Sequence, residues 1–321
     1  MQATPELEIA RTLPAAGCSG EEARRYTAWL ATHHYENFNV VSWLLPRRLH
    51  QNFYNVYAYC RWADDLGDEV SDSSRALAYL DGWEEELRAC YAGSATHPVF
   101  LALAGTIRDC EIPIEPFSNL LQAFRRDQRV HRYPDWEAVK DYCEYSANPV
   151  GRLVLHVCGY HDAERQQLSD FTCTALQLAN FWQDVARDLE KGRIYIPLEV
   201  AAKHGVSEGQ IIEKRFDTNF CALVQELIAE TRRLFDLGAP LAKMVTPELR
   251  VDIQLFNRGG VAVLDAIEAI GCDSLTHRPA ITRGGQMKLL SRALASRLFA
   301  PFRSGDSSGQ SANSFSARPH A

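Results

Sequence analysis

The chain has 321 residues, 46% hydrophobic and 23% charged, with 34 Lys plus Arg against 41 Asp plus Glu and a net charge of -7. That acidic balance excludes a general nucleic-acid binder, which needs a dense cationic footprint to displace counterions from phosphates. Fourteen Pro and 19 Gly are too few for a collagen-like or low-complexity protein, so the chain is expected to fold around a sizeable core.

The N-terminus places Glu6 and Glu8 among polar residues, with no basic start leading into an apolar run. No secretory signal is read there. The longest uncharged stretch, 89–107, is interrupted by Gly93, Ser94, Thr96, His97 and Pro98, which leaves far fewer apolar residues than the roughly 20 of a membrane span. A cytoplasmic protein without a transmembrane helix is expected. Nine scattered cysteines with no Cys-x-x-Cys pair read as reduced thiols. Of these, Cys60, Cys143, Cys158 and Cys173 sit in apolar runs as small core hydrophobes.

Apolar periodicity near 3.6 recurs along the sequence and sustained alternation is rare, so the fold class is all-α. The predicted helices are 20–32, 46–69, 73–92, 98–110, 115–128, 135–158, 164–191, 208–237 and 247–271. Asp135 after Pro134 reads as a helix start, and Gly192 after Lys191 as an end. Short turns imply antiparallel neighbours. With no solenoid period and no internal Pro- or Ser-rich linker, one helical domain over 20–303 is expected, preceded by an extension at 1–19. The Ser-, Gly- and Asn-rich tail at 304–321 reads as disordered.

Two acidic stripes carry the chemistry. In Arg61-Trp62-Ala63-Asp64-Asp65-Leu66-Gly67-Asp68-Glu69, Asp64 and Asp68 are four apart and so about 40° apart around a helix. Arg61, three residues before Asp64, joins that face. In Asn180-Phe181-Trp182-Gln183-Asp184-Val185-Ala186-Arg187-Asp188, an oxygen side chain recurs every fourth residue at Asn180, Asp184 and Asp188. Acids at this spacing repel one another, so a cation should compensate. Hard oxygen ligands suit Mg²⁺ better than zinc or iron, and the Glu-x-x-His of a di-iron bundle is absent. Stripes facing across a helical cavity would hold Mg²⁺ against a diphosphate and make it a leaving group. Aromatic walls would shelter the resulting cation, with Phe38, Trp43, Phe181 and Trp182 as candidates.

These residues resemble the squalene and phytoene synthase family, over roughly 35–288. The strongest segments are Val56-Tyr57-Ala58-Tyr59-Cys60-Arg61 running into Asp64 to Glu69, and Ala179 to Asp188 leading to Gly192-Arg193-Ile194-Tyr195-Ile196-Pro197. The resemblance implies a class I isoprenoid synthase bundle with a central apolar cavity. It also implies roughly two or three Mg²⁺ ions with diphosphate, held by Asp64, Asp68, Asn180, Asp184 and Asp188. Asp64, Asp68, Asp184 and Asp188 would be catalytic. Arg61, Arg193, Tyr195, Arg278, Tyr142, Asn148 and Phe38 would bind substrate or diphosphate.

One segment departs from the common family pattern. Tyr142-Cys143 is followed by Ser146-Ala147-Asn148-Pro149-Val150-Gly151-Arg152, where Pro149 cannot donate to the Tyr145 carbonyl and the helix should bend. With Glu36-Asn37-Phe38 and Gly259-Gly260, this pattern resembles the hydroxysqualene synthase branch of the hopanoid pathway. That branch implies ionisation of presqualene diphosphate and capture of the cation by water, which Asn148 would help to hold.

Three other readings stay open. Head-to-head condensation of two prenyl diphosphates, such as farnesyl diphosphate, to squalene, phytoene or presqualene diphosphate would use the same metals. A terpene cyclase shares the second motif, and an inactive scaffold would be expected to lose acids that are present here. Segment 274–305 carries Arg278, Arg283, Lys288, Arg292, Arg297 and Arg303 with no acid before Gly305 and Leu residues between them. It fits either a peripheral seat on the inner face of an anionic membrane or packing on an acidic body, and neighbouring pathway enzymes are further candidate partners.

Overall fold

Helices form where the apolar period recurs, and the computed structural model describes residues 17–33 and 45–279 of the chain. They are α1 (Gly20–His33), α2 (Arg47–Asp68), α3 (Ser73–Tyr91), α4 (Pro98–Asp109), α5 (Glu115–Asp127), α6 (Trp136–Ser146), α7 (Asn148–Val157), α8 (Ala163–Gln183), α9 (Val185–Glu190), α10 (Leu198–Lys203), α11 (Glu208–Ile212), α12 (Thr218–Gly238) and α13 (Pro247–Ala269). Seven starts are fixed by side chains that accept a first-turn N–H, from Ser19, Asp72, His97, Asp135, Asp162, Ser207 and Asp217. No strand occurs among the described residues; Arg132 and Ile194 make an isolated parallel bridge.

The expected all-α class holds, with three corrections to the helix boundaries. The predicted helix 135–158 divides at Ala147, two residues before Pro149, as the missing N–H of proline requires. Beyond the division, a Cβ on Gly151 would lie 2.3 Å from Ser169 Oγ and 2.5 Å from Cys173 Sγ, so only glycine lets α7 sit this close to α8. The predicted helix 164–191 breaks at Asp184, a weak helix former whose carboxylate engages Arg278 outside the helix. The predicted helix 208–237 is α11 and α12, separated where Lys214 takes a left-handed φ of 52° and Asp217 caps a new start. The six residues of α10 escaped prediction because they are too few to show a period.

Two aromatic cores result. Tyr59, Trp62, Trp83, Phe100 and Phe117 pack among α2 to α5, with the Trp62 and Trp83 rings stacked at 5.5 Å. Tyr133, Tyr142, Phe181, Trp182, Tyr195 and Phe220 pack around α6, α8 and α12. The end of α2 meets this second region: Gln128 Nε2 donates to the Gly67 carbonyl at 2.7 Å. On α13, Gly260 allows close approach to the Phe235 ring, 2.2 Å from where a Cβ would stand.

All nine cysteines are free. No described helix is long and apolar enough to cross a membrane. Phe38, Trp43, the expected tail at 304–321 and all but the first residues of the basic segment 274–305 lie outside the described residues.

Candidate active site

The first stripe sits on the last turns of α2. Asp64 is 46% exposed and lies 3.8 Å from Arg61, whose closer partner at 2.5 Å is the buried Asp65. The spacing placed Arg61 beside Asp64 and overlooked Asp65. One turn further on, Asp68 accepts from Lys191 Nζ at 2.8 Å and from an Arg193 Nη at 3.2 Å. Burial works to raise the Asp68 carboxyl, but these two cations outweigh it and hold it below the ordinary carboxylate range.

The second stripe spans the break between α8 and α9 and keeps its register there. Asp184 N donates to the Asn180 carbonyl and Asp188 N to the Asp184 carbonyl, both at 2.9 Å, so the four-residue step survives the interruption. Asn180 is exposed. Asp184 is gripped by Arg278 through Nε and through an Nη at 3.1 Å. Gln183 Nε2, donating to the Pro279 carbonyl at 2.7 Å, holds the same returning segment in place. Asp188 is pushed up to about 7, by burial first and then by the Asp184 charge, with Arg193 and Lys191 only partly offsetting them.

An aromatic cluster packs beside the second stripe, from which Phe181 comes. Tyr195 stacks on Phe181 with ring centres 3.8 Å apart and planes 2° apart, and on Tyr133 at 5.4 Å. Tyr142 lies 5.6 Å from Tyr195 and donates to Asp127 Oδ2 at 2.9 Å. Trp182, an expected wall candidate, is as fully buried as Tyr133 and donates to Thr231 Oγ1, on the side of α8 that faces α12. Asn148, at the first position of α7, is buried and accepts from Thr174 Oγ1 at 2.9 Å.

Besides Asp65, two residues of this region are not singled out by the sequence pattern. Lys191 was read only as a helix end. Asp127 closes the basic run Arg125-Arg126 and resembles a solvated helix end, yet it is 8% exposed and burial pushes it up to about 6. A signal was available: Asp127 continues the apolar stripe of α5 at four residues past Ala123 and seven past Leu120.

Among the described residues, no group of three or more His, Cys, Asp or Glu stands ready-made around a metal position. Lys191, Arg193 and Arg278 instead occupy the acids. The donor chemistry still fits a hard divalent cation, because every candidate ligand is an oxygen and Asp184 adds like charge beside the buried Asp188. Lys191 and Arg193 tie the end of α2 to the segment after α9, so residues from both stripes share one electrostatic neighbourhood.

A profile described as squalene/phytoene synthase matches residues 31–285. The chain belongs to the squalene/phytoene synthase family. Within this prenyl diphosphate-processing family, a hydroxysqualene synthase of Rhodopseudomonas palustris is 35% identical over 213 residues, 66% of this chain and 72% of the relative. A chloroplastic phytoene synthase 1 of Solanum lycopersicum is 25% identical over 313 residues, 94% of this chain and 75% of the relative. The crystal structure of squalene synthase HpnC from Alicyclobacillus acidocaldarius matches with a TM-score of 0.76 and 46% identity, covering 79% of this chain and 95% of that one.

Proposed function

We propose that this squalene/phytoene synthase family member ionises presqualene diphosphate, lets the cyclopropylcarbinyl cation rearrange, and captures it with water to give hydroxysqualene and diphosphate. The observation that carries the reading is the meeting of Asp68 with Lys191 and Arg193, which ties the end of the first acidic stripe to the segment that follows the second. Likeness to relatives named hydroxysqualene synthase, at 35%, 30% and 33% identity, supports this reaction over the others.

Mg²⁺ held by Asp64, Asp68, Asn180, Asp184 and Asp188 would neutralise diphosphate charge and make it a better leaving group. Lys191, Arg193 and Arg278 supply the cationic side chains that bind the phosphate oxygens once they leave the acids. The aromatic cluster of Phe181, Tyr195 and Tyr133 would border the cation with apolar, water-excluding surface. Arg61 braces Asp64 and Asp65 at the end of α2.

Head-to-head condensation remains the second reading, favoured by the length of the match to phytoene synthase. Incubation with Mg²⁺ and each substrate alone separates them by product mass. Presqualene diphosphate should give hydroxysqualene and farnesyl diphosphate alone should give nothing; squalene, phytoene or presqualene diphosphate made from farnesyl diphosphate would replace the first reading with the second.

A further inference from the structure

Whichever of these reactions runs, one proton must leave the reacting carbon skeleton or the captured water. Asp127 stands in the right surroundings to receive it. Its Oδ2 accepts from the Tyr142 hydroxyl at 2.9 Å, while its Oδ1 is buried with no hydrogen-bond partner. The Tyr133 hydroxyl, on a ring 5.5 Å from that of Tyr142, is likewise buried without a partner. Carboxylates in protein interiors are normally satisfied at both oxygens, so an acid kept with one bond is poorly explained by stability.

The groups facing Asp127 come from every neighbouring element. Arg126 on α5 itself is engaged by Asp141 at 2.6 Å. Asp68 from α2, Asp188 from α9, and Arg193 with Tyr195 from the segment after it all act on Asp127 electrostatically. His131 reaches only the Asp127 backbone carbonyl, at 3.3 Å. No ion pair of 4.0 Å or less reaches the Asp127 carboxylate among the described residues, so its side-chain contact with the site is through Tyr142.

Resting on the proposed function, we propose that Asp127 takes up, through Tyr142, the proton that the reaction releases. As the water oxygen bonds to the cation, one water O–H bond breaks and its proton passes to the Tyr142 oxygen. The proton already on Tyr142 passes to Asp127 Oδ2. The phenol ends neutral, the carboxylate ends as a carboxylic acid, and no oxidant or reductant is needed. In head-to-head closure a C–H bond breaks instead, its electron pair closes the three-membered ring, and the proton takes the same path. A carboxyl raised to about 6 is ionised at neutral pH yet basic enough to accept. Asp127 is a positioning residue in this scheme, since it reaches substrate only through Tyr142.

The test uses the full chain with saturating Mg²⁺ and presqualene diphosphate, and compares wild type with Asp127→Asn, Asp127→Glu and Tyr142→Phe. Asp127→Asn still accepts the Tyr142 hydrogen bond but not a proton. Its kcat should fall at least about thirtyfold, with KM within about twofold and the acid limb of the kcat profile near pH 6 lost. Asp127→Glu should restore part of the rate. An Asp127→Asn kcat within about threefold of wild type, or an unchanged acid limb, would overturn the relay. If Asp127→Asn fails to fold, Tyr142→Phe decides by the same limb. Diphosphate release by wild type checks the parent reading: turnover there with an unaffected variant sinks the relay alone, whereas no release from presqualene or farnesyl diphosphate sinks both.

Discussion

The stripe on α2 and the stripe across the α8–α9 break share one four-residue spacing, and they differ in what neutralises them. Asp68 holds two cations, at 2.8 and 3.2 Å, and its carboxyl lies below the ordinary range. Asp188 forms no ion pair of 4.0 Å or less among the described residues, and burial with the nearby Asp184 charge lifts it to about 7. Both cations on Asp68 are contributed by residues that follow the second stripe. Within the second stripe Asp184 is answered by Arg278, whereas Asp188 is offset only at longer range, so Asp188 is the acid whose charge a divalent ion should relieve most.

The sharpest way to break this contrast is Asp184→Ala, which removes the middle oxygen of the second stripe and releases Arg278. Diphosphate release should fall on the order of a hundredfold or more, because charge stabilisation of the leaving group is lost, while the circular dichroism of the helices stays unchanged. Retention of a tenth of the activity would sink the metal assignment for that stripe.

A smaller effect concerns stability without metal. The folded state binds the Asp188 proton more tightly than the unfolded chain does, so this group's contribution is present below the ordinary carboxylate range and is lost as pH rises through about 7. The His97 and His156 rings, held low by burial, work in the opposite direction over part of the same window. The readout is thus the difference between wild type and Asp188→Asn. Metal-free Asp188→Asn should melt about 2–4 °C above wild type at pH 8 and close to it at pH 5. An equal or lower Tm at pH 8 would show that burying a charged Asp188 beside Asp184 costs the fold nothing.

Lys191→Ala should have the smallest effect, since Arg193 still holds Asp68 and an exposed ion pair contributes only about 0–1 kcal/mol. KM for the diphosphate substrate should rise by about two- to fivefold with little change in kcat. A large fall in kcat would make Lys191 a direct partner of the leaving group in the transition state.

The stripes were legible in the sequence because a four-residue step is a local property of the backbone. The break at Asp184 was invisible for the same reason: the hydrogen bonds from Asp184 to Asn180 and from Asp188 to Asp184 persist through it. The division at Ala147 could be read because Pro149 announces it. Asp127 and Lys191 could not be ranked from local pattern, since each gains its meaning from residues far away in the chain, Tyr142 for one and Asp68 for the other. Family resemblance named Arg193 and Arg278 as phosphate contacts without showing that they would rest on the very acids expected to take metal.

The clasp of Arg278 on Asp184, like that of Lys191 and Arg193 on Asp68, couples a base wanted by an anion to an acid wanted by a cation. Either visitor arriving alone would strand the other half of such a clasp with uncompensated charge. Magnesium and diphosphate should therefore load together, each lowering the concentration of the other needed for half-occupancy, so that the free protein keeps its own charges quenched until the true cargo arrives.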